Sequence, residues 1–287
     1  MNALILCAGL GTRLRPLTDR IPKPLVPVVD QTLLSRVVDR VAAPGTRVFA
    51  NSHHLAERIA EFAERDGRIG RVFFEPEILG TAGPLARMAR EAERDGLLVA
   101  NGDVWHGIDL REFAERVGAS GAEVVLLGRD DPRVNTLAEE GGRLAGVKGR
   151  FGSDRGNLTF TGISWYAPSA LERIPEGLFD VREFWRSELE AGRAPALLKA
   201  PEEAGWIDVG TPAGLLEATE ARLDELGLDS WGEVPESARL VRSAVCAGGS
   251  CGEGCVLERS LVLPGGRVAA GERLRGVVVG DGFRWEV

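Results

Sequence analysis

The residues with the clearest capacity for chemistry lie in "LILCAGLGTRLRPLTDRIPKPLVPV", residues 4–28. An apolar run breaks at Gly9 and Gly11, Arg13 follows, and Lys23 stands between Pro22 and Pro24. Glycines let a backbone wrap closely around a ligand. Arg13 offers a forked cation suited to terminal phosphates. Lys23, its backbone restricted on both sides by proline, offers a point charge for one phosphoryl group. The stretch lacks the third glycine of a dinucleotide fingerprint and the Gly-Lys-Ser/Thr of a Walker A loop. Two carboxylates stand at the ends of expected strands: Asp103 in "NGDVW" and Asp208 in "GWIDVGTP".

Strand-helix alternation must position these groups. "NALILC", "TRVFAN", "RVFFE", "LLVAN" and "AEVVLLG" are short and apolar, as strands buried on both faces are. Between them run helical stripes: Leu33, Leu34, Val37, Val38 and Val41; Leu55, Ile59 and Phe62; Leu110, Phe113, Ala114 and Val117. The pattern predicts an α/β fold, a Rossmann-like, mostly parallel sheet flanked by helices, with ligands at the carboxyl ends of its strands. The glycine break and "NGDVW" both fall at that edge.

In the middle section, "NTLAEEGGRLAGVKGRF" reads as a hairpin with a Gly-Gly turn and "LTFTGISWYAP" as a strand. Val181, Phe184, Trp185 and Leu189 mark a helix, and Leu216, Leu223 and Leu226 a last one. This section is expected to cover the open edge of the sheet and wall a cleft. From about Trp231 helical periodicity vanishes and glycine becomes dense. Val245, Cys251, Leu257 and Leu263 recur every six residues, and Val256, Val262, Val268 and Leu274 do so one position out of step. Such recurrence predicts a short β-helix of two to three coils, too small to stand alone and a candidate for packing on the main domain or on another subunit. The expected division is 1–228 for the main domain and 229–287 for the tail.

Composition narrows the partners. The chain has 287 residues, 44% of them hydrophobic, enough for a sizeable core. A net charge of −8 argues against nucleic-acid binding through bulk positive charge. No apolar run is long enough to cross a bilayer, and "MNALILCAGLG" reads as a core strand, not a leader. With no leader, Cys7, Cys246, Cys251 and Cys255 are not expected to form disulfides, and the cytoplasm is the simplest location.

The opening stretch resembles the signature of the sugar-phosphate nucleotidyltransferases, and "LGTAG" (79–83), "NGD" (101–103), "TFTGIS" (159–164) and "WIDVGTP" (206–212) follow in that family's order. The resemblance implies transfer of a nucleoside monophosphate from a nucleoside triphosphate to a sugar 1-phosphate, with release of pyrophosphate. It implies that Ala8, Gly9, Gly11 and Thr12 hold the nucleotide, Arg13 the β- and γ-phosphates and Lys23 the α-phosphate. Gly80 and Gly83 would read the base edge, Thr161 and Gly162 would line the sugar pocket, and Asp103 and Asp208 would hold Mg²⁺. The tail is implied to be a left-handed β-helix and a candidate oligomer contact.

Two subfamilies compete. "NGDVW" and "LTFTGIS" are similar to the uridylyltransferases acting on N-acetylmuramate 1-phosphate; the tail and "LGTAGPL" are similar to the mannose-1-phosphate guanylyltransferases. The latter often carry Glu-Lys-Pro in the central hairpin, where this chain has "LAGVKGRFG", leaving Lys148 as the candidate substitute. A catalytically inactive, nucleotide-sugar-sensing relative is the alternative; a hexapeptide-repeat acyltransferase is disfavoured by the short tail. His53 and His54 read as ordinary residues at a helix start. The C-x4-C-x3-C spacing of the tail suits buried small residues better than zinc. Trp206 is open between core filling and the sugar.

Overall fold

The computed structural model describes residues 1–92 and 95–287. The chain divides into two compact units. The first is Met1–Gly9, Val37–Gly102 and His106–Trp206; the second is Leu10–Arg36, Asp103–Trp105 and Ile207–Val287.

The first unit is built on a ten-stranded sheet. Its strands are β1 (Asn2–Leu6), β2 (Arg47–Ser52), β3 (Ile69–Phe74), β4 (Leu97–Asn101), β5 (Val124–Arg129), β6 (Leu137–Glu140), β7 (Arg143–Val147), β8 (Phe151–Gly152), β9 (Thr159–Tyr166) and β10 (Ala196–Lys199). The order is β8-β7-β10-β5-β9-β4-β1-β2-β3, with β6 beside β7. β4, β1, β2 and β3 run parallel, as continuous apolar runs joined by helices require. The expected helical stripes are present over Leu33–Val41, Ala56–Asp66 and Leu110–Ser120. Asp109 caps the third by accepting from the Arg111 and Glu112 amides.

One expectation is corrected. The middle section does not lie over the edge of the sheet; its strands enter it. β9 lies between β4 and β5, antiparallel to both, and β10 pairs parallel with β5. β9 is buried on both faces over most of its length, which a central position demands and a cover would not. The hairpin with its Gly141-Gly142 turn is present as β6 and β7.

In the second unit the tail forms parallel ladders on three faces. Arg239 pairs with Val256 and Val256 with Arg273, and beyond the first rung, where Ser230 pairs with Ser243, corresponding residues stand 17 apart on each face. Three hexapeptides shortened by one residue give that step, which accounts for the offset between the two six-residue runs. Ala244, Leu261 and Val278 share a core with Leu17, Val26 and Leu215, so the coil has the external packing it needs. Cys246 and Cys255 are buried and Cys251 half-buried. Burial pushes the Cys246 thiol up to about 12, the state of an inert core residue. No helix among the described residues is long and apolar enough to cross a membrane.

A buried carboxylate ties the helix Val181–Glu190 into the first unit. Glu188, with only 3% of its side chain exposed, takes hydrogen bonds from Arg193 (2.8 Å) and Arg173 (2.6 Å). Desolvation pushes its pKa up, but the bonds from Arg193 and Arg173 outweigh it and hold the carboxyl below the ordinary 4.5. The folded pKa lies below the unfolded one, so the stabilisation is present above pH 4.5 and disappears as pH falls through the folded value. Glu188→Gln is expected to lose about 2 kcal/mol at pH 7. In denaturant titrations at several pH values, the gap to the parent protein should close in acid; a gap unchanged down to full protonation would contradict this assignment.

Candidate active site

Four charged side chains of the second unit meet. Lys23 opens a single 3-10 turn, Lys23–Leu25, directly after Pro22. Its ammonium donates to Asp103 Oδ2 at 2.8 Å and lies 3.7 Å from Asp208 Oδ1. Arg13 Nη2 donates to Asp208 Oδ2 at 3.3 Å. Charges therefore alternate: guanidinium, carboxylate, ammonium, carboxylate. The Lys23 side chain is 8% exposed and that of Arg13 is 62% exposed. A buried ammonium pays a large desolvation cost unless it is paired, and two carboxylates offset it. Arg13 presents most of its fork to solvent.

Local sequence sets this geometry. Gly11 has φ +62°, and a Cβ there would stand 2.8 Å from the Thr18 methyl and 3.2 Å from Lys23 Cβ, so only glycine lets the turn close over the lysine. Thr18 Oγ1 donates to the Gly11 carbonyl at 2.9 Å. Gly210 lies against the Arg13 guanidinium, where a Cβ would be 2.3 Å from Nη2. Thr211 then caps the helix Pro212–Leu226 by accepting from the Gly214 amide.

No group of three His, Cys, Asp or Glu suited to a metal occurs among the described residues. Asp103 and Asp208 nevertheless supply hard oxygens that converge on one cation, the Lys23 ammonium. That donor set suits Mg²⁺, which takes few protein carboxylates and completes its shell with water and substrate phosphates.

Thr12 is exposed and opens the 3-10 turn Thr12–Leu14 of the second unit; the first unit carries the remaining expected residues. Ala8 is buried and Gly9 exposed just beyond β1. Gly80 has φ +70°, and a Cβ there would meet the Phe179 carbonyl at 2.2 Å; the same carbonyl accepts from the Thr81 and Ala82 amides. Gly83 opens the helix Gly83–Met88. Thr161 and Gly162 occupy a register shift in β9, a bulge of the kind that re-aims backbone beside sites. Gly162 has φ +84°, and a Cβ would stand 2.8 Å from Asn101 Nδ2.

Gly162, Asn101 and Lys148 line a cavity of about 250 Å³ within this unit. Its lining includes the apolar Val99, Phe160 and Trp185; Arg150 and Arg182 add cations, both paired with Asp180. Burial pushes the Tyr166 phenol up to about 12, and its oxygen accepts from Trp185 Nε1 at 3.0 Å. Trp206 Nε1 donates to the Thr161 carbonyl at 2.8 Å, which fixes its orientation. Arg129 donates to the Trp206 carbonyl at 3.2 Å and lies 5.8 Å from its ring.

Some participants carry no signal in the sequence. Phe179, Asn51 and Glu75 hold the loops around Gly80 and Cys7 through side-chain and carbonyl bonds across the fold. His53 Nδ1 contacts the Glu75 carbonyl at 2.8 Å.

Residues 2–135 match the family model described as nucleotidyl transferase. The chain is 27% identical over its whole length to the mannose-1-phosphate guanylyltransferase of Mycobacterium tuberculosis, covering 81% of that protein. It is 29% identical over 83% of its length to the bifunctional protein GlmU of Methanocaldococcus jannaschii, spanning only 58% of that longer protein. Among solved structures, HddC of Yersinia pseudotuberculosis complexed with GMP-PN shares the fold, with a TM-score of 0.62 and 23% identity over 77% of this chain and 99% of that one. The signature loop and the converging charges thus belong to a chain whose residues 2–135 are similar to the nucleotidyl transferase family.

Proposed function

We propose that the protein transfers a nucleoside monophosphate from a nucleoside triphosphate to a sugar 1-phosphate. The observation that carries this reading is the Lys23 ammonium, buried and held 2.8 Å from Asp103 and 3.7 Å from Asp208, with Arg13 beside it. A sugar phosphate oxygen is already a nucleophile and needs no general base. The protein must align two anions and neutralise charge on the one attacked. Lys23 is assigned to the α-phosphate and Arg13 to the β- and γ-phosphates. Backbone at Ala8, Gly9, Gly11 and Thr12 is assigned to the nucleotide, and Gly80 and Gly83 to the base edge. Thr161, Gly162 and Lys148 are assigned to the sugar 1-phosphate, because Gly162 and Lys148 line one cavity. Asp103 and Asp208 would hold Mg²⁺, which when bound adds positive charge against the phosphates. The attacking oxygen forms a bond to the α-phosphorus as the bond to the bridging oxygen breaks, and pyrophosphate leaves with that electron pair.

GTP and mannose 1-phosphate are the favoured pair, since the M. tuberculosis guanylyltransferase matches along the entire chain. The apolar lining residues Val99, Phe160 and Trp185 favour a second pair, UTP and N-acetylmuramate 1-phosphate, whose acetyl and lactyl methyls need such a surface. Retention of Arg13, Lys23, Asp103 and Asp208 disfavours an inactive sensing relative.

A substrate matrix tests the reading: each triphosphate against glucose, mannose, N-acetylglucosamine and N-acetylmuramate 1-phosphates, following pyrophosphate release. Turnover with at least one pair is expected, and none with any pair refutes the function. Lys23→Ala should lower kcat on the order of a hundredfold, the equivalent of about 3 kcal/mol; normal turnover would remove Lys23 from the chemistry. With a triphosphate made chiral by sulfur at the α-phosphorus, a single in-line displacement predicts inversion; retention would require a covalent enzyme intermediate.

A further inference from the structure

Asn51 and Glu75 are assigned to no substrate group, yet both are buried, at 2% and 1% exposure. They form one line of hydrogen bonds. The Cys7 amide donates to Asn51 Oδ1 at 2.7 Å, Asn51 Nδ2 donates to Glu75 Oε1 at 2.8 Å, and the Leu79 amide donates to Glu75 Oε2 at 3.0 Å. Among the described residues no cation pairs with Glu75. A buried carboxylate without a cation is costly unless its oxygens are filled by donors, and here one donor is a backbone amide of a functional loop. One end of the line is the peptide that leads into Ala8 and Gly9. The other is the peptide that leads into Gly80.

We infer that Asn51 and Glu75 are positioning residues for the nucleotide. They lock the loop after β1 and the Leu79–Gly83 loop to a common support, so that both backbones meet the nucleotide already in place. This rests on the assignment of those two loops to the nucleotide. Preorganisation of this kind acts on nucleotide affinity and leaves the sugar-phosphate contacts alone.

The polarity of the line supplies a sharp test. Both ends are N–H donors, so the two side chains must offer three acceptors and one donor between them. Asn with Glu does this, and so does Asp with Gln, with only the inner bond reversed. N51D alone sets two carboxylates face to face, and E75Q alone leaves one donor facing another; each loses a bond. N51D/E75Q restores all three bonds without changing shape.

Steady-state kinetics on the full chain, with the best of GTP, UTP, ATP and dTTP, should show the triphosphate KM raised on the order of tenfold in each single variant. The sugar 1-phosphate KM should stay within about twofold, and the double variant should return near the parent value. A double variant no better than the worse single one, or singles that raise both KM values alike, would overturn the inference. Hydrogen exchange at the Cys7 and Leu79 amides reads the line independently of turnover. Exchange should quicken in each single variant and slow again in the double, and rates unchanged in all three would reject the line itself. A parent protein that turns over no triphosphate refutes the functional reading; an active parent with unmoved triphosphate KM in the variants refutes only this inference.

Discussion

A buried ammonium cannot exist without partners, and Lys23 has two: Asp103 at 2.8 Å and Asp208 at 3.7 Å. Much of the second unit can be understood as what that arrangement demands. Gly11 must be glycine so that the turn closes over the lysine. Pro22 and Pro24 fix the chain on either side of it. Gly210 leaves room for the Arg13 guanidinium beside Asp208. Leu17, Val26, Val209 and Leu215 pack the surrounding core, which also takes in the inner residues of the tail. The small parallel coil thus contributes apolar surface to the same core that backs the charged cluster.

The first unit works by a different means. The groups of this unit assigned to substrate are mostly backbone, at glycines where a side chain would collide with a neighbour. Gly80 presses on the Phe179 carbonyl, and Gly162 on Asn101. Backbone groups are directed by whatever holds the loop that carries them. Support comes from the Trp206 indole on the Thr161 carbonyl, the Phe179 carbonyl on the Thr81 and Ala82 amides, and Asn51 with Glu75 on Cys7 and Leu79. Lys148, which the sequence left without a defined contact, lines the cavity with Gly162.

What could be read from the sequence was local. Gly11, Arg13 and Lys23 announce themselves because three unusual residue types fall within one loop. Asp103 and Asp208 do so because each ends a short apolar run. The helices at Leu33–Val41 and Leu110–Ser120 follow from periodicity, and the six-residue recurrence anticipates a coil, whose step of 17 only the strand pairing shows. What could not be read depends on distant pairing. Nothing in "TFTGISWY" says that β9 will sit between β4 and β5. Glu75 looks like an ordinary acidic residue until the fold brings Asn51 to one of its oxygens and the Leu79 amide to the other. The bulge at Thr161–Gly162 is likewise a product of strand register.

The central claim is that Lys23 meets the α-phosphate while Asp103 and Asp208 face a divalent cation. The most direct measurement is a crystal structure with Mg²⁺ and a triphosphate whose α,β-bridging oxygen is replaced by methylene. The account predicts the Lys23 ammonium about 3 Å from an α-phosphate oxygen, with oxygens of both aspartates on the metal. A nucleotide bound elsewhere, with Lys23 still paired to Asp103 and Asp208 as it is here, would contradict it.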